Sequence, residues 1–185
     1  HRLWTGSWFG LLFFGADNTV IHSASGLGGM VQVLQTVKTD TFSQVVTNGS
    51  LSNVCISRTF TASSTSNKLL LIASLYCNNS DQWTQNGIVF TDDGSVISGA
   101  RGDAFNTQGR VSGAWSQAVT NEALYHAYAT YLHTPTNTSS HTYGIKLYQG
   151  SGHNNQTLTL NFSNTQNINT RVRTMSTLTV MEVSV

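Results

Sequence analysis

The chain has 185 residues, a formal net charge of +1 and only 9% charged residues, where an ordinary globular domain has about 25%. That length fits one domain, or one domain with a tail, and 39% hydrophobic with 10% aromatic content excludes a disordered chain, which needs low hydrophobicity or high net charge. The Lys and Arg residues are scattered apart from Arg171/Arg173 and leave no footprint for nucleic acid, while nearly half the chain is Ser, Thr, Asn, Gln or Gly, so the solvent face is built from neutral hydroxyls and amides.

The most apolar stretch comes first, Leu3 to Ala16 (LWTGSWFGLLFFGA). It is shorter than the about 20 residues that span a bilayer, and although it is similar to a signal-peptide apolar region, the simpler expectation is a segment that packs on a neighbour. Its contact residues would be Leu3, Trp4, Trp8, Phe9, Leu11, Leu12, Phe13 and Phe14. The glycines of Gly26-Leu27-Gly28-Gly29 mark a hinge, dividing an arm over 1–28 from a body over 29–185.

In the body, turn-rich stretches separate short β-type runs. Met30 to Val37 opens the series and Val54 to Phe60 alternates with period two. The loop TASSTSN over 61–67 leads into KLLLIASLYC over 68–77, too uniformly apolar for a half-exposed strand and therefore expected to be central and buried on both faces. Gly87 to Ile97 predicts a hairpin turning at Asp93-Gly94. Ala123 to His133 has strand character, with a helix competing only over 121–131, and the loop after it holds the single proline. Tyr143 to Gln149, Thr157 to Phe162 and Met175 to Val185 complete the set. About eight strands predict an all-β, antiparallel, jelly-roll-like sandwich.

Chemistry is sparse. No G-x-S-x-G elbow is present, and the adjacent Asp92 and Asp93 sit in a tight turn, where Asp serves its own backbone. His126 and His133 lie seven apart on one strand, hence on opposite faces, and no metal-ligand spacing occurs. The expectation is therefore no catalytic residues, no metal and no cofactor. Cys55 and Cys77 read as small core residues, Arg101-Gly102-Asp103 as a chance adhesion tripeptide, and the glycosylation triplets at Asn48, Asn78, Asn137, Asn155 and Asn161 as the yield of this composition. Trp83 and Trp115 stand in polar stretches (DQWTQN, SGAWSQ). Each is either a sugar-stacking contact or a residue tucked over the sandwich edge.

Four segments carry a resemblance: VLQTVKTDTF over 33–42, TASSTSNKLLL over 61–71, YLHTP over 131–135 with the Asn137–Tyr143 loop, and STLTVMEV over 176–183. With them, residues 29–185 resemble a β-domain of tailed-phage virion proteins, often found at the C-terminus of tail fibres. Its elements read V-L-Q-x-V, T-x-S-S-x-S-x-K-[IVL]-L, Y-L-D-x-P and S-T-[IL]-T-[VLA]-M-E-[VI]. His133 departs from the Asp common there, and residues 1–28 do not look like a fibre shaft. The resemblance implies a homotrimeric β-sandwich knob on a virion. The expected role is attachment to a host glycan or surface receptor, with other virion proteins as partners, no nucleic acid and no membrane span. The alternative is a capsid or tail decoration docked through the arm.

Overall fold

The computed structural model describes residues 13–14, 20–21, 29–80, 84–115, 123–152, 154–163 and 172–185. Its strands in chain order are β1 (Phe13–Phe14), β2 (Val20–Ile21), β3 (Met30–Lys38), β4 (Phe42–Val46), β5 (Leu51–Thr61), β6 (Lys68–Asn79), β7 (Asn86–Asp92), β8 (Ser95–Val96), β9 (Gly113–Trp115), β10 (Tyr125–His133), β11 (Ser140–Tyr148), β12 (Gln156–Leu160) and β13 (Ser176–Val183). Among the described residues the one helical element is a single turn at Ser98–Ala100, and no helix is long and apolar enough to cross a membrane.

Two antiparallel sheets pack face to face as a β-sandwich. In the first, β10 and β13 flank β6, with β3 outside β13. β12 continues the line of β13 along the same edge of β6, and β4 continues that of β3. The second sheet runs β5–β11–β7, with β8 and β9 sharing the far edge of β7. β1 and β2 pair with each other, Phe13 opposite Ile21.

Side chains alternate along each strand, and one set meets between the sheets. From β6 these are Leu69, Leu71, Ala73, Leu75 and Cys77, facing Ile56, Phe60, Ile88, Phe90, Tyr143, Ile145 and Leu147 of the second sheet. Each large apolar side chain buried here contributes about 1.5–3 kcal/mol. β6 is central, as its composition predicts, but only one of its faces is sealed. Leu70 and Ile72 point outward and are half-buried, so the apolar run marks a sheet whose outer face is also apolar. Cys55 and Cys77 are free buried thiols, and burial pushes the Cys55 thiol up to about 12.

β1, β2, β4 and β9 are strands beyond those read from the sequence. All four are short, and β9 exists because Gly113 to Trp115 completes the free edge of β7. The break between β12 and β13 is closed by Asn161, which is fully buried and left-handed at φ 67°, a conformation Asn tolerates better than most residues. Its amide donates to the carbonyls of Lys38 (2.8 Å) and Asp40 (2.9 Å) at the β3–β4 junction. Its Oδ1 accepts from the Ser176 hydroxyl at 2.6 Å. One side chain thus replaces the missing ladder bonds where two strand lines are interrupted. Asn78 is buried as well, so neither it nor Asn161 is open to a glycan in the folded chain.

The segments TASSTSN and STLTVMEV meet at Glu182, which is fully buried in β13. Its carboxylate accepts from Gln32 Nε2 (2.7 Å), the Ser63 hydroxyl (2.7 Å), the Ser63 amide (2.9 Å) and Asn67 Nδ2 (2.6 Å). Burial raises the carboxyl's pKa, but these hydrogen bonds outweigh it and hold the group below its ordinary value.

Candidate functional site

The strand directions give the sandwich two distinct ends. The chain enters the body at Gly29, bonded to Ser184 in both directions, so this end carries the start of β3, the 62–67 loop, the 134–139 loop and the Asp93-Gly94 turn. The other end carries the 47–50 and 149–155 connections and the region around Thr84. His141 and Tyr148 mark the two ends of β11, roughly 20 Å apart at strand rise.

At the end away from Gly29 lies an open cleft of about 320 Å³, lined by Thr84, Gln85, Asn86, Gln108, Gly109, Val111, Ala114, Tyr148, Gly150 and Ser151. None of these side chains is charged. Two backbone approaches shape the cleft: a Cβ on Gly109 would run into the Tyr148 ring, and one on Gly150 into the Gln85 carbonyl. Beneath it lies a layer of buried amides, Asn79, Asn86, Gln149 and Gln156. Gly150 N donates to Asn86 Oδ1 (3.2 Å), Asn79 Nδ2 to Gln156 Oε1 (3.2 Å), Gln156 N to Gln149 Oε1 (2.9 Å), and Gln156 Nε2 to the Thr84 hydroxyl. Satisfied networks of this kind hold backbone rigidly. The cleft therefore presents amides, hydroxyls and one phenol ring in fixed positions, a chemistry suited to a neutral hydroxylated ligand.

Trp115 does not belong to that surface. It lies in β9 at 2% exposure, with its indole nitrogen 3.4 Å from Asn79 Oδ1, so its ring offers no face to a sugar. Its polar neighbours Ser112 and Ser116 conceal a core residue. Trp83 lies outside the described residues, next to Thr84 of the cleft. Of the arm's expected contact residues, Leu3, Trp4, Trp8, Phe9, Leu11 and Leu12 lie outside the described residues too, and Phe13 and Phe14 form β1.

A second constellation sits at the Gly29 end. His141 Nδ1 lies 2.9 Å from Asp92 Oδ1 and 2.9 Å from Asp93 Oδ2, while its Nε2 lies 3.0 Å from Asn137 Oδ1. A neutral imidazole has one N–H and cannot donate at both ends. Positive charge at Nδ1, from a second proton or from a metal ion, satisfies all three oxygens. His133 Nε2 lies 3.9 Å from Asp92 Oδ2 and is buried without a hydrogen-bond partner. Burial is the largest influence on the His133 ring and holds its pKa below the ordinary value, with Asp92 pulling it up and His141 pushing it down. Burial, then Asp92 and Asp93, raise the pKa of the Tyr143 phenol and keep it protonated. Asp93 takes a left-handed turn position (φ 48°), but its Oδ1 accepts from Thr142 N of the adjacent strand at 2.8 Å rather than serving its own turn. His126 faces out on the opposite side of β10 from His133, as their spacing predicts, and bonds Ser74 at 2.8 Å.

No protein-family model and no curated protein matches the chain.

Proposed function

We propose that the chain is a virion knob of a tailed bacteriophage that attaches the particle to a neutral glycan on the host surface, binding rather than degrading it. The observation that carries this reading is the position of the uncharged cleft, at the opposite end of the sandwich from Gly29, where the apolar arm joins. An appendage mounted through residues 1–28 would hold that cleft outermost. The segments that resemble the phage β-domain also support it, because all four reach contiguous strands of one sheet (β3, β13, β6 and β10), the Asn137–Tyr143 loop leading on into β11 of the other, and two of them share the Glu182 hydrogen bonds.

Assembly as a homotrimer is part of the proposal. Its support is the outer face of the first sheet, where Leu132, Leu70, Met181 and Val33 stand in register across four strands and Tyr128 and Leu132 are exposed. An apolar row of this kind suits a subunit contact.

The purified chain should compete with virus for adsorption to host cells. Gln108→Trp, at an exposed cleft position, should fill the cleft and weaken that competition at least tenfold, about 1.4 kcal/mol, at unchanged thermal stability. Equal competition by wild type and variant would remove the cleft as the contact, and no competition by wild type would remove the attachment role.

A further inference from the structure

We propose that Asp92, Asp93 and His141 bind one divalent transition-metal ion of the zinc class, with water completing its coordination. Asp92 ends β7, Asp93 stands in the turn after it and His141 lies near the start of β11, so all three come from the second sheet. An ion held among them would pin the Asp93-Gly94 turn to β11 at the end where the chain enters the body.

Three observations carry this. The donor atoms of Asp92, Asp93 and His141 all lie within 4.8 Å of one another. Tetrahedral zinc with bonds of 2.0–2.1 Å sets its ligands about 3.3 Å apart, and the two His141–carboxylate separations of 2.9 Å lie a few tenths of an ångström inside that value. Asn137 Oδ1 at Nε2 of His141 selects the tautomer whose Nδ1 lone pair faces the carboxylates, the orienting contact that metal-bound imidazoles ordinarily have. Finally, His133 Nε2, buried and without a hydrogen-bond partner, which is uncommon for a buried polar atom, lies 3.9 Å from the other oxygen of Asp92 and flanks the site without entering the ligand set. One imidazole with two carboxylates suits zinc or its neighbours, whereas magnesium and calcium favour oxygen alone. Asp93, with its side chain 56% exposed, leaves the site open to solvent for entry.

The test uses the full chain after chelator treatment. Titration with zinc chloride should give one saturable ion per chain, and at about a hundredfold excess over Kd the melting temperature should rise by about 5–10 °C, with no rise in magnesium chloride. His141→Ala and Asp92→Asn should each weaken zinc binding at least tenfold, while His126→Ala should leave it unchanged. If a variant fails to fold, nitrogen-detected spectra of the wild-type histidine rings decide: zinc should shift the His141 signals most and spare His126. Absence of saturable binding, equal loss in His126→Ala, or shifts confined to His126 would overturn the proposal.

Discussion

Glu182→Ala should destabilise the protein by about 3–5 kcal/mol in urea unfolding, since hydrogen bonds to a charged group contribute about 1.5–3 kcal/mol each and are not fully additive. The loss is large because four donors, from Gln32, Asn67 and the Ser63 amide and hydroxyl, converge on this carboxylate, and each keeps its desolvation cost when the acceptor goes. Glu182→Gln should cost less, since one amide oxygen still accepts, yet its NH2 group meets donors. The same group predicts acid sensitivity. Its folded pKa lies below the ordinary 4.5, so between the two values the unfolded chain binds more protons and stability rises with pH. The carboxylate's contribution is complete above the unfolded pKa and disappears as pH falls through the folded one. Unfolding measured from pH 6 to pH 3 should show a steeper loss in wild type than in Glu182→Gln. Parallel curves would mean that this carboxylate is not the acid-labile element.

Trp115→Ala should cost about 3–5 kcal/mol, the usual price of emptying a buried aromatic site. The indole is 2% exposed among the core residues, and its N–H reaches Asn79, itself bonded to the amide layer beneath the cleft. Trp115→Phe should recover much of the packing without the hydrogen bond. Adsorption competition, compared per folded molecule, should be unaffected by Trp115→Phe. A variant that keeps full stability but loses adsorption would place Trp115 on the binding surface instead.

Much of the fold was legible because strand periodicity and turn chemistry are local. The alternation from Ser176 to Val183 and the Asp93-Gly94 turn each declare themselves within a few residues. β6 was legible as central from its unbroken apolar run, but the outward Leu70 and Ile72 imitate a second core face, and composition does not separate a core from an apolar outer face. Trp115 was obscured by its polar neighbours, because a three-residue strand is too short to show alternation. The His–Asp constellation was out of reach for another reason. Asp92 and His141 are 49 positions apart, brought together when β11 pairs with β7 so that Tyr143 stands opposite Asp92. Histidines compared only along one strand, as His126 and His133 are, give the correct opposite faces and miss the partner across the sheets. The Asn161 bridge leaves no local signal either, since its left-handed turn closes a gap between strands remote in sequence.

The central claim is a knob mounted at its Gly29 end with the neutral cleft outermost. Cryo-electron microscopy of the intact particle carrying this chain tests it most directly. The account predicts three copies around a local axis, residues 1–28 against another virion protein, and Tyr148, Gln108 and Ser151 facing away from the particle. A particle in which the cleft end is the docked one, or from which the chain is missing, would contradict it.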